Sequence, residues 1–162
     1  MSEINIMQIE IGEQLTQPVL SIKAKVLEKD LPNHVKKSYK KIISYLNKQG
    51  ERPNGLPFIA YYNYDTENLR GVGTWDMEVG LTVSKVLPEK DDIKPTVIVK
   101  GKTISCFYKG AYTGLGIAYS KLTECLNKNK YHSMKISYEY FYNSPAEVPE
   151  EELLTKIVLL IY

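Results

Sequence analysis

Along residues 19–27 (VLSIKAKVL) apolar and polar positions alternate: Leu20, Ile22, Ala24 and Val26 fall on one side, Val19, Ser21, Lys23 and Lys25 on the other. A period of two marks a half-buried strand. After a turn at Leu31-Pro32-Asn33 the period changes. Val35, Tyr39, Ile42, Ile43 and Leu46 recur at three- and four-residue spacing, with Lys36, Lys37, Lys40, Lys41 and Lys48 between them, which predicts an amphipathic helix ending near Gly50. The Pro/Gly/Asn-rich stretch from Arg52 to Pro57 predicts a loop, FIAYYNYD a strand, and Glu78 to Val86 another strand beyond Gly71 and Gly73. The order is β-α-β-β.

The second half repeats it. Thr96 to Tyr108 reads as strand, Thr113 as the cap of a helix carrying Leu115, Tyr119, Leu122 and Leu126, and Lys135 to Tyr142 and Leu154 to Ile161 as two more strands. A shift of about 80 residues, without a gap, lays Tyr39 on Tyr119, Lys41 on Lys121, Leu46-Asn47-Lys48 on Leu126-Asn127-Lys128, and Tyr62-Asn63 on Tyr142-Asn143. We read this as an internal duplication, with pseudo-repeats at 16–88 and 94–162 inside one domain spanning 1–162. Two such units predict an α+β fold: a mainly antiparallel sheet with two helices on one face, related by a pseudo-twofold axis. The uncovered face is then expected to form a curved ligand groove between the halves.

Composition sharpens this picture. A length of 162 residues, 43% hydrophobic, suits one domain with a real core. Lysine and arginine number 21 against 19 carboxylates, so the net charge of +2 gives no general reason to expect nucleic acid or an acidic membrane as partner. Cys106 and Cys125 match no disulfide, metal or redox spacing and read as buried thiols in a reducing cytoplasm. The N-terminal MSEINIMQIEIGEQ lacks the basic-then-apolar pattern of a targeting segment, and the longest apolar run, Ile157 to Ile161, is far too short to span a membrane. A cytoplasmic protein is expected. The unusual count is 13 tyrosines against 3 phenylalanines and 1 tryptophan, a set suited to a wet, ligand-facing surface.

Familiar catalytic signatures are missing: no phosphate-cradling loop, dinucleotide fingerprint, GxSxG elbow, HExxH or CxxC. No cofactor or metal is expected. His34 and His132 have no triad-forming neighbours and read as surface residues, and no segment resembles a DNA-reading helix-turn-helix. The informative residue is Glu139. In KISYEYFYN (135–143), Ile136, Tyr138, Tyr140 and Tyr142 take one face while Ser137, Glu139 and Phe141 take the other, leaving a mid-strand carboxylate flanked by rings. Such a charge is costly to bury unless paired, and a cationic amphiphile would pair it while the rings supply cation–π attraction. A solvent-facing edge position is the alternative. Glu78, read as heading the last strand of the first half, is a second candidate, either as a ligand contact or as a base for water; solvating a strand end is its alternative role. Tyr61, Tyr62, Tyr64, Trp75, Tyr108, Tyr112 and Phe141 are candidate walls, whereas Tyr39 and Tyr119 read as helix-face core.

The segment Tyr108-Lys-Gly-Ala-Tyr-Thr-Gly-Leu-Gly-Ile-Ala-Tyr-Ser-Lys-Leu122 resembles the "G-P-Y, then L, then A-Y, then L" helix start of the GyrI-like, or AraC-type effector-binding, small-molecule-binding domains. Tyr138-Glu-Tyr-Phe-Tyr-Asn-Ser-Pro145 and Pro149-Glu-Glu-Glu-Leu-Leu-Thr-Lys-Ile-Val158 resemble that family's closing pattern, and Phe58 to Asp65 and Glu78 to Val83 its first-half counterparts. Ala111 stands where the family usually has proline, and Tyr108 where many relatives have histidine. The resemblance implies paired β-α-β-β (SHS2-like) modules with a ligand groove, here without a DNA-binding domain. It implies that Glu139 meets the charge of a lipophilic cation, in drug sensing or sequestration. Two other functions stay open. Relatives of this fold resemble hydrolases of strained, cyclopropane-bearing toxins, for which Glu139, Glu78 and Tyr108 would be the catalytic candidates, and the gyrase-inhibitor branch acts on a protein partner.

Overall fold

The computed structural model describes residues 8–62 and 73–162. Eight strands and two helices follow in the order β1 (Glu10–Gln14), β2 (Pro18–Leu27), α1 (Leu31–Lys48), β3 (Pro57–Tyr61), β4 (Thr74–Thr82), β5 (Lys94–Val97), β6 (Gly101–Lys109), α2 (Leu115–Lys128), β7 (Ser133–Phe141) and β8 (Leu154–Ile161). Within this order β2-α1-β3-β4 and β6-α2-β7-β8 are the two expected β-α-β-β units. Tyr64 and Gly71 lie outside the described residues.

The local differences from expectation have physical causes. The expected turn at Leu31-Pro32-Asn33 is the first turn of α1, where proline fits because its missing N–H has no intrahelical acceptor. Ile43 stays exposed, and Tyr45 takes its place inside, its hydroxyl donating to the Pro88 carbonyl. Thr113 does not cap α2: a 3-10 turn, Tyr112–Gly114, leads into the helix, and Gly114 is the cap residue without a side-chain bond. The strand expected from Thr96 to Tyr108 is two strands, because the chain leaves one side of the sheet at Val97 and joins another at Gly101, whose φ of +155° favours glycine. β1 was not anticipated; most of its residues are exposed, so it shows no apolar period. Cys106 is buried, but Cys125 is only half-buried.

All neighbouring strands are antiparallel, in the order β1-β6-β8-β7-β3-β4-β2-β5. The two units meet where β3 pairs with β7, and there Ile59 lies directly opposite Glu139. These are residues that the sequence shift superimposes, so the pseudo-twofold axis runs through this pair.

The outer strands are exchanged. β1, which leads into β2, pairs with β6 of the other unit, and β5, which leads into β6, pairs with β2. In a flat sheet β1 would lie six strand steps from β2, roughly 29 Å. The link between them, residues 15–17, reaches only about 14 Å. The sheet therefore curls until its ends nearly meet. The two links touch, the Ile98 N–H donating to the Gln17 carbonyl (2.9 Å), and the β2–β4 pairing runs one residue further, Val83 N–H donating to the Pro18 carbonyl (3.0 Å).

Each face of the sheet has its own core. On the outside, α1 sets Ile42, Tyr45 and Leu46 on Leu20, Ile22 and Leu81, while α2 sets Leu115, Ala118, Tyr119, Leu122 and Leu126 on Ile104, Cys106, Ile157 and Leu159. On the inside, Phe58, Ala60, Tyr138, Val158 and Leu160 pack under Ile98 of the β5–β6 link. Among the described residues no helix is long and apolar enough to cross a membrane.

Candidate functional site

β7 alternates as its sequence predicts. Its central place, between β3 and β8, puts Glu139 beside Ile59 and Ile157, both of which belong to the helix-side core. Glu139 is therefore on the helix-covered face and 1% exposed, in neither the open groove nor an edge position. Tyr119, from α2, donates its hydroxyl to Glu139 Oε2 at 2.6 Å and lies 3.3 Å from Ser137 Oγ. This face is covered because α1 and α2 both bury their apolar stripes on it, and each brings one tyrosine toward the axis.

Other rings surround the carboxylate. The Tyr39 hydroxyl of α1 donates to the Phe58 carbonyl at 2.8 Å. Its phenol is held well above the ordinary tyrosine range, first by burial and then by its proximity to Tyr61, Glu139 and Tyr112. Tyr112 is raised for the same reasons, burial first and then the Glu139 charge. Tyr112 meets Phe141 edge to face, with ring centres 5.8 Å apart, and at 37% exposure it is where the group reaches solvent. Tyr61 meets Trp75 at 5.0 Å, and the indole N–H is held by Glu28 at 2.9 Å. The expected residues Glu139, Tyr61, Trp75, Tyr112 and Phe141 thus share one face.

Tyr108 shares that face but has a structural role. Only 3% exposed, it donates to the Ala111 carbonyl at 2.8 Å, and a Cβ on Gly114 would stand 2.0 Å from its hydroxyl. Its ring props the turn that starts α2, and Gly114 is needed for that fit.

Glu78 corrects the expectation. It sits in the middle of β4, opposite Ala60 and Lys23, and so faces the inside of the curl, away from Glu139. It is 1% exposed and accepts hydrogen bonds from Thr96 Oγ1 (2.7 Å), Ser21 Oγ and the Tyr62 hydroxyl. Burial, followed by the adjacent Glu78 carboxylate, pushes the Tyr62 phenol far up. Glu78 neither solvates a strand end nor joins the Glu139 group. It ties β2, β5 and the end of β3 together. A signal was present in the sequence: Trp75, Met77, Val79 and Leu81 form the apolar side of β4, which puts Glu78 on the other.

Tyr39 and Tyr119, read from sequence as core, are the residues that sequence reasoning missed. Both are packed in the helix–sheet interface, yet both carry hydroxyls toward the axis. Their matching positions in the two units, with tyrosine rather than leucine, were the available clue. The open face holds a cavity of about 350 Å³, and Glu139 does not line it.

As chemistry, the helix-side group is a buried carboxylate held by a phenol and surrounded by aromatic rings. That combination attracts a cation strongly because little water screens it, and ring faces add to the attraction.

A family model described as GyrI-like small molecule binding domain matches residues 7–161. Comparison with curated proteins gives no match. Among solved structures, EcmrR in complex with DNA has a TM-score of 0.82 at 19% identity; the likeness covers 98% of this chain, which spans 58% of that one. The EcmrR C-terminal domain alone has a TM-score of 0.73 at 21% identity, covering 96% of this chain and 97% of the domain. SAV2435 bound to tetraphenylphosphonium has a TM-score of 0.68 at 11% identity, with 96% and 94% covered.

Proposed function

The chain belongs to the GyrI-like small molecule binding domain family, and from that premise we propose that it binds lipophilic organic cations on its helix-covered face, with Glu139 meeting the charge. The observation that carries this reading is the Glu139 carboxylate, buried at the symmetry axis and held by Tyr119 among Tyr39, Tyr61, Tyr112 and Phe141. Tyr119 orients one carboxylate oxygen, and the rings supply dispersion and cation–π contact. The same arrangement disfavours anions, because they would meet a desolvated negative charge. The role is that of a receptor for drug-like cations, in sensing or sequestration.

Tetraphenylphosphonium, the cation in the SAV2435 structure, is the natural probe. Its titration is expected to change the Trp75 fluorescence, because that indole packs on Tyr61. Triphenylphosphine oxide, which has similar rings and no net charge, is expected to bind more weakly. Glu139→Gln keeps the shape and removes the charge, so it should weaken the cation by about tenfold or more, a loss of about 1.4 kcal/mol. Equal affinity in the variant and the parent would refute the role of Glu139.

A further inference from the structure

The inside of the curl holds a cavity of different chemistry. It occupies about 350 Å³ between the sheet and the β1–β2 link. Its floor is polar where a sheet interior is usually apolar. Thr82 of β4 and Thr103 and Ser105 of β6 line it, all three buried. Thr82 Oγ1 is enclosed against Gly55, where a Cβ would stand 2.3 Å from it, so it does not open onto the cavity as the other two residues do. The roof is fastened: the Tyr140 hydroxyl donates to Gln14 Oε1 at 2.7 Å, and Gln14 Nε2 donates to the Val99 carbonyl at 2.8 Å.

Charge gives the cavity a polarity. Lys156, half-buried on β8, is the cation in its lining, with its Nζ 5.6 Å from the centre of the Phe107 ring. None of the ion pairs among the described residues involves it. Glu13, the carboxylate in the lining, is exposed on the edge strand β1 and is solvated there. To a lipophilic cation these walls offer only the solvated Glu13 carboxylate and the Tyr140 and Tyr142 rings. An ammonium suits a carboxylate, the Thr103 and Ser105 hydroxyls and the Gln14 carboxamide suit hydroxyl groups, and the Tyr140 ring suits the C–H face of a small ring.

We propose that this cavity is a second ligand site, for a small hydroxylated carboxylate of the sugar-acid class. It lies on the opposite face of the sheet from Glu139 and does not depend on the cation site. Lys156 holds the carboxylate, while Thr103 and Ser105 exchange hydrogen bonds with the hydroxyls.

Calorimetric titration of the whole chain with D-glucuronate and D-gluconate tests this, with D-glucose and acetate as controls. Saturable binding of at least one acid is expected, about tenfold or more tighter than either control, because glucose lacks the carboxylate and acetate lacks the hydroxyls. Lys156→Met should weaken that acid by about tenfold or more, and Lys156→Gln serves if the methionine variant fails to fold. Ser105→Ala should also weaken it, since it deletes a hydroxyl that lines the cavity. Glu139→Gln should leave it unchanged. Absence of saturable binding by both acids in the millimolar range would overturn the proposal. So would binding that survives loss of the Lys156 charge, or binding abolished by Glu139→Gln.

Discussion

Two buried glutamates lie on opposite faces of one sheet, and their neighbours divide their roles. Glu139 is held by a phenol from α2, whereas Glu78 accepts from Ser21, Tyr62 and Thr96. Hydrogen bonds to an ionised group contribute more than neutral ones, and removing the acceptor strands three donors. Glu78→Ala should therefore lower stability by about 3 kcal/mol or more in urea unfolding, while leaving tetraphenylphosphonium affinity within about twofold under folding conditions. A loss of cation affinity as large as that of Glu139→Gln would return Glu78 to the binding site. How much of this was legible in the sequence depends on distance along the chain. The alternation of Ser137, Glu139 and Phe141 against Tyr138 and Tyr140 needs only neighbouring residues, and it was correct. The Tyr119 contact joins two elements through the docking angle of α2, which no local period encodes. For Glu78 the local period was present, but its three partners come from β2, β5 and the end of β3, brought together by the strand order β3-β4-β2-β5.

At the scale of elements, strong periods were readable and weak ones were not. β2 and α1 each bury a continuous stripe, so their patterns survive in sequence. β1 buries little, and the strand read from Thr96 to Tyr108 divides because its apolar Ile98 and Val99 pack beneath the inner face instead of continuing a ladder. β4 contains a glycine whose reason is visible only in the fold. A Cβ on Gly80 would stand 2.7 Å from Phe58 Cζ and 3.0 Å from the Leu20 carbonyl oxygen. Phe58 occupies the missing side chain's place, beneath Tyr138 and Tyr140 at ring-centre distances of 5.8 and 6.1 Å. Gly80→Ala must displace that ring or bend the strand, at a cost of about 1–3 kcal/mol. Thermal melting should register it as a lower midpoint, and an unchanged midpoint would mean that Phe58 has room to move.

At the scale of the whole molecule, duplication supplies two equivalent halves and the axis makes them unequal. Ile59 and Glu139 meet across it, one apolar and one acidic, so a site built on symmetric elements has a single charged end. The exchange of β1 and β5 has a further consequence. Each half completes its sheet with a strand from the other, and both crossings are short. The peptide chain between β4 and β5 is not what holds the halves together. Cutting it at the exposed Asp91–Asp92 turn should give two pieces that stay unfolded when expressed singly and combine into a folded, cation-binding heterodimer when expressed together. Recovery of a folded 1–91 piece by itself would contradict this. The interlocked strands make the protein a candidate split reporter, whose reassembly a bound cation would stabilise by mass action.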